Sequence, residues 1–311
     1  MMVEAPLFQR IILGLRPGAI DRDAVEVVAE LAWLLGAVLQ GIFVEDRAVS
    51  GIGALLEARE FQLIGRQWRP IEAERLAEDM QLAELSARRL LDRAAQRLGV
   101  ASFFEVLHDE PMSSLPSLAR PGDILAVVAP RDPHERLAPY YLEPALVPGF
   151  SATTIFVPRR IGRKRGPVLA LVGTPQDKGL SVAAAVARAA EERLVILGPN
   201  DSGLREGILH AAKMVGGHWA KTEFVALERL DELAFLSAAE GVQERLIVLT
   251  RPPDNAHGDM DPFVIASMRQ SPIILVGPTA AADALSRPPN AGDQTSRAAV
   301  STREQSKWAD P

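Results

Sequence analysis

The chain has 311 residues, a net charge of −6, 48% hydrophobic and 24% charged residues, and no cysteine. That length holds two ordinary domains with real cores, and the missing thiols exclude disulfides, thiolate catalysis and Cys–zinc sites and favour a cytoplasmic setting. The acidic balance argues against nonspecific nucleic-acid binding, which needs clustered Lys and Arg.

Residues 1–10, MMVEAPLFQR, carry no basic segment followed by an apolar run, so no secretory leader is expected. Ile11 to Leu15 form a continuous apolar run suited to a strand buried on both faces. Asp21 or Asp23 can cap a helix whose Val25, Val28, Leu31 and Leu34 follow helical spacing. The greasy stretch 31–44 is broken by Gln40 and is too short for the ~20 apolar residues of a membrane span, so it reads as a helix end, a turn near Gly36 and a second strand. Residues 47–80 interrupt the rhythm as a helical insertion, with Pro70 suited to start a long helix over 71–98. That helix places Leu76, Met80, Leu85, Leu90, Leu91 and Ala94 on one face, and Gly99 ends it. A third strand (101–107), a short helix (112–118), a fourth strand (123–128), a Pro-rich loop and a fifth strand from Thr153 complete the first pass.

The same order restarts near residue 167: strand 167–172, helix 180–191, strand 193–197, helix 204–215, a strand at Phe224 and Val225, helix 230–239, strand 245–249, a helix capped by Asp261-Pro262, and strand 272–276. Between the passes lies PRRIGRKRG (158–166) with five basic residues, a solvated linker or an anionic docking site for a membrane surface or a nucleotide phosphate. Residues 279–311, Trp308 aside, lack periodic apolar positions, and a disordered tail is expected there.

The repeated strand–helix order over 8–160 and 166–278 resembles the universal stress protein family in tandem. The most specific pieces are LLDRAAQRLGVASFFEVLHDEPMSSLPSLARPGDILAVVAP (90–130) and IASMRQSPIILV (265–276), with QGIFVED (40–46) fitting the family's second strand. The resemblance implies two tandem open parallel-sheet α/β/α domains of the adenine-nucleotide-hydrolase-like kind, as two sheets and not one continuous sheet. It also implies that the fifth strands 153–157 and 272–276 face each other across a pseudo-twofold, as an intramolecular pseudo-dimer; a homodimer is the other arrangement.

Nucleotide-binding members carry glycines after the fourth strand that let backbone N–H groups approach phosphates. Here APRDPHERLAPYYLEPALVPG (129–149) and RPPDNAHGDMDP (251–262) place prolines there, with Gly258 alone, and the acidic residue after the first strand is replaced by Arg16 and Gly173. The ATP signature is therefore degenerate. No cofactor is expected, with ATP or AMP as the nucleotides to test. The resemblance implies that Val44 marks a vestigial adenine pocket. The remaining anion or nucleotide cleft is GTPQDKG (173–179), with Gly173, Thr174, Asp177 and Lys178 beside Thr250 and Arg251; ordinary turn chemistry is the plainer reading of that loop.

Gly51-Ile52-Gly53 lacks the third glycine of a dinucleotide fingerprint. His108-Asp109-Glu110 and residues 254–261 read as polar loops without calcium-loop spacing, so no metal site is assigned. No nucleophile elbow, HExxH or SGGxDS loop is present. The expectation is a non-catalytic regulatory or scaffold protein of the stress response with a protein partner; the alternative is nucleotide sensing through the second-half cleft.

Overall fold

The computed structural model describes residues 7–17, 21–45, 51, 59–62, 65–108, 111–120, 122–129, 152–216, 221–251 and 261–277. The first half runs β1 (Arg10–Leu15), α1 (Arg22–Leu35), β2 (Val38–Glu45), β3 (Arg59–Gln62), β4 (Gln67–Pro70), α2 (Ala73–Leu98), β5 (Ser102–His108), α3 (Pro111–Leu118), β6 (Asp123–Val128) and β7 (Thr153–Val157). The second runs β8 (Val168–Leu171), α4 (Lys178–Ala190), β9 (Leu194–Pro199), α5 (Ser202–Gly216), β10 (Thr222–Leu227), α6 (Glu232–Ala238), β11 (Leu246–Thr250), α7 (Pro262–Arg269) and β12 (Ile273–Val276).

Local signals explain the elements. Asp21 caps α1 by accepting from the N–H groups of Asp23 (3.0 Å) and Ala24 (3.3 Å). Gly36 and Gly99 end α1 and α2 in the left-handed conformation at φ 62° and 67°, which costs glycine nothing. Asp261 accepts from Phe263 and Val264, with Pro262 in the first turn of α7. β1, β6, β8 and β11 lie inside the sheet and are apolar on both faces, as parallel strands covered by helices must be.

Within each half the strands are parallel and in one order, β7-β6-β1-β2-β5 and β12-β11-β8-β9-β10. The fifth strands do meet: β7 pairs antiparallel with β12 through Phe156↔Ile273, Ile155↔Ile274 and Thr154↔Leu275. That pairing corrects the expectation of two separate sheets. The halves are fused into one ten-stranded sheet, because two exposed apolar edges satisfy each other's backbone N–H and C=O groups.

One face is covered by α1, α2, α4 and α5, whose buried residues form a single apolar cluster crossing from one half to the other. The opposite face packs against the short helices α3, α6 and α7. An ion pair also crosses the junction, from Arg245 at the foot of β11 to Glu30 of α1 at 2.7 Å.

Three expectations are corrected in the first half. Its insertion is not wholly helical: residues 59–70 contain the antiparallel hairpin β3–β4, and Pro70 ends β4 instead of opening α2. On α2 the buried positions are Ala87, Leu91, Ala94 and Ala95, and Leu85 faces outward with 44% exposure. Residues 130–150, 252–260 and 279–311, with Ile52, Gly53, Asp109 and Glu110, lie outside the described residues, and so do the expectations placed on them.

Candidate functional site

The β8–α4 loop crosses the carboxyl end of β8, where an open α/β sheet places its ligands. It turns on a hydrogen bond from the Asp177 N–H to the Thr174 carbonyl (3.1 Å), and α4 then starts at Lys178 with Asp177 as its cap. The Asp177 carboxylate points back into the loop. Its Oδ2 accepts from the Gly173 N–H (3.3 Å) and its Oδ1 from the Gly179 N–H (2.9 Å). The Thr250 hydroxyl, at the end of β11, donates to the same Oδ1, and the Gly179 N–H is shared with Thr250 Oγ1 at 3.1 Å. Backbone donors and a helix N-terminus attract negative charge, and here the charge is supplied from within the chain.

Gly179 makes this closeness attainable. A Cβ there would run into Thr250 Oγ1 and lie 3.2 Å from Asp177 Oδ1. Sequence reasoning singled out Asp177 as one of several cleft residues; it did not foresee that its side chain would take the loop's own donors. The legible signal was the aspartate immediately before a helix start.

The structure thus brings Gly173, Asp177 and Thr250 into contact, with Lys178 beside them in the first turn and Thr174 exposed on the rim. Arg251 goes elsewhere. Its N–H donates to the Val276 carbonyl (2.9 Å) and its guanidinium reaches Thr154 Oγ1 of β7 at 3.5 Å, so it serves the strand junction. Burial lowers the pKa of that guanidinium.

In the first half Val44 is buried at the carboxyl end of β2, 2% exposed, in the core on the α3 side. Next to it Glu45 Oε2 lies 2.9 Å from His108 Nδ1 across the β2–β5 pair, a contact that only strand register creates. No cluster of three potential metal ligands occurs among the described residues, and none of the described helices is long and apolar enough to cross a membrane.

The basic linker is tied down at several points. Lys164 Nζ lies 3.3 Å from Glu26 of α1, a carboxylate that also meets Arg97 of α2 (2.9 Å) and Arg22 (3.0 Å). Hydrogen bonds from Arg97 and Arg22 chiefly, with Lys164 adding to them, hold the Glu26 carboxyl down at about 2. The Gly162 N–H donates to the Gln270 carbonyl (2.8 Å) and the Gly166 N–H to Glu192 Oε1 (3.1 Å). The linker therefore touches both halves.

No family model matches the chain, and no curated protein matches it. Among solved structures it is similar to a universal stress protein from Archaeoglobus fulgidus DSM 4304, with a TM-score of 0.54 and 10% identity over 87% of this chain and 98% of that one. It is also similar to a putative universal stress protein from Pseudomonas aeruginosa UCBPP-PA14, with a TM-score of 0.48 and 14% identity over 88% and 95% of the two chains. The first likeness extends across both halves, and the fold is that of the universal stress proteins.

Proposed function

We propose that this protein is a non-catalytic regulatory or scaffold protein of the stress response, cytoplasmic and acting through protein contacts. The observation that carries this reading is the Asp177 carboxylate, which takes the Gly173 and Gly179 N–H groups and the Thr250 hydroxyl. A nucleotide phosphate entering this cradle would have to displace a carboxylate already held by three donors, and would meet its charge. The β7–β12 pairing supports the same reading, since the strand edge available for dimerisation is consumed inside one chain and outer surfaces remain for partners.

The second reading is nucleotide sensing by a remodelled cleft. Thr174 is exposed and Lys178 stands in the first turn of α4, so a rotated Asp177 side chain would leave Gly173, Thr174 and Lys178 facing an incoming phosphate, near Thr250.

Thermal unfolding with ATP, AMP and a cyclic dinucleotide separates the two. A ligand that binds only the native state adds about 2.7 kcal/mol at a hundredfold excess over its Kd. The expected result is no shift with any of the three. A saturable shift that Lys178→Ala removes would replace the scaffold reading with nucleotide sensing.

A further inference from the structure

Helix α2 buries one face through Ala87, Leu91, Ala94 and Ala95, and carries a second repeat on the opposite face. Arg75, Glu78, Leu82, Leu85, Arg89 and Asp92 recur at alternating spacings of three and four residues, the a and d positions of a helical seam. Ala87 and Ala94 fall at the heptad position farthest from that stripe, so the stripe faces away from the core. Leu82 and Leu85 are 62% and 44% exposed. Arg75, Glu78 and Arg89 are exposed as well, and Asp92 is half-buried.

The charges of the stripe are arranged about the two leucines. Arg75 and Glu78 precede them, Arg89 and Asp92 follow, and reading the stripe backwards exchanges each charge for its opposite. None of these four forms an ion pair with a described residue, whereas Arg88 and Arg97 on the flanks are held by Glu84 (3.6 Å) and Glu26 (2.9 Å). The surface that complements such a stripe is the same stripe reversed. An antiparallel pair of copies sets Arg75 against the partner's Asp92, Glu78 against the partner's Arg89 and Leu82 against the partner's Leu85, and the twofold repeats each contact. A parallel pair in register would set like charge against like at all four positions, which is repulsive.

We propose that the outer face of α2 is a homodimerisation seam: two copies pack their α2 helices antiparallel over residues 75–92, with Leu82 and Leu85 of both copies at the centre and Arg–carboxylate pairs at either end. The leucines supply the apolar burial, and the charges fix orientation and register, as polar residues at seam positions do. At a rise of 1.5 Å per residue the seam is roughly 26 Å long. It lies on the helical layer and leaves the β7–β12 pairing inside each chain intact. The proposal rests on the reading of this protein as one that works through contacts, and it names the first of them, a second copy of the chain.

The test is sedimentation velocity of the full chain over a concentration series, at low and high salt. The native chain is expected to form a dimer of twice 33.6 kDa that weakens as salt rises. Leu82→Asp and Glu78→Arg should each raise the dimer dissociation constant at least about tenfold. Both positions are exposed, and unchanged circular dichroism will show that the fold is kept. Adding Arg89→Glu to Glu78→Arg exchanges the paired charges and should restore the dimer. Trp68→Ala, which removes the ring 5.2 Å from Phe61 in the hairpin ahead of the seam, should leave it intact. Orientation has its own readout, because the chain has no cysteine. Arg75→Cys and Asp92→Cys chains mixed under mild oxidation should become disulfide-linked. Arg75→Cys alone should not, since its two thiols would sit roughly 25 Å apart at opposite ends of the seam.

A native chain that stays monomeric at about 100 µM, or a dimer indifferent to Leu82→Asp, would overturn the proposal. So would failure of the charge exchange to restore what Glu78→Arg removes. Arg75→Cys chains that link to one another as readily as the mixture does would replace the antiparallel seam with a parallel contact. Each of these outcomes is independent of the nucleotide titration, so failure of the seam and failure of the scaffold reading remain distinguishable.

Discussion

Ile155 of β7 stands opposite Ile274 of β12, and the two are also equivalent residues of the two halves. The equivalence follows from register: Ile12 pairs with Leu125 and Leu125 with Thr154, as Leu169 pairs with Ile247 and Ile247 with Ile273. One residue further along, the pseudo-twofold axis passes between the two isoleucines. Both are fully buried, and both belong to the apolar cluster that spans the junction.

Truncating either one therefore weakens both halves. Ile155→Ala and Ile274→Ala should each cost about 3 kcal/mol, the usual range for a buried aliphatic cut to alanine. Because the residues are paired neighbours, the double variant should lose a different amount from the sum of the singles, by at least about 0.5 kcal/mol. Urea unfolding followed by circular dichroism and tryptophan fluorescence should give one cooperative transition; two separated transitions would show that the halves fold independently.

The close approach of α4 to the end of β11 is limited by Gly179 and Thr250. Gly179→Ala drives a methyl into Thr250 Oγ1 and should destabilise by about 1–3 kcal/mol. Thr250→Ala vacates that space, so the double variant should recover part of the loss, at the expense of the hydroxyl's bond to Asp177. Asp177→Ala alone should cost about 1–2 kcal/mol as a lost helix cap. Equal Tm values for Gly179→Ala and its Thr250→Ala double variant would contradict the steric account.

Glu244 has no solvent exposure and is held by Arg269 in a bidentate pair, Nε to Oε1 at 2.9 Å and NH2 to Oε2 at 2.6 Å. The same guanidinium donates to the carbonyls of Ala239 (2.9 Å) and Val242 (2.7 Å), fastening the end of α6 to α7. The bond to Glu244 raises the Arg269 pKa. Arg269→Met strands a buried carboxylate and should cost about 3–5 kcal/mol, whereas Glu244→Met with Arg269→Met should cost much less. Chemical denaturation at pH 7 measures both, and a double variant as unstable as the single would refute the desolvation argument.

Glu26 gives the fold a pH dependence of known sign. Its folded pKa, about 2, lies below the ordinary 4.5, so its contribution is complete above pH 4.5 and is lost as the pH falls towards 2. Its partners Arg22, Arg97 and Lys164 are more than half exposed and screened by solvent, which reduces the contribution to about 1 kcal/mol. Glu26→Gln should be less stable than the native chain by that amount at neutral pH, and the gap should close by pH 2. A gap that persists at pH 2 would assign the loss to packing.

Much of the architecture follows from short-range rules. Apolar runs of strand length, aspartates before helix starts and glycines after helix ends locate β1, α1, α7 and most of their counterparts, because capping and burial periodicity act within a few residues. The hairpin at 59–70 escaped that reading, since its aromatic pair is created by cross-strand register and its stretch mixes helical spacing with Gly and Pro. Leu85 was misplaced because periodicity names a helix face without saying how far the body of the protein extends along it. Asp177 marks the same boundary at the candidate site. Its place before a helix is a local fact, but the Thr250 hydroxyl that locks it lies 73 residues away. Strand order alone brings the ends of β8 and β11 together, and likewise joins β7 to β12: backbone groups left unpaired at an apolar edge are costly wherever they occur, and only the assembled chain decides which segment satisfies them.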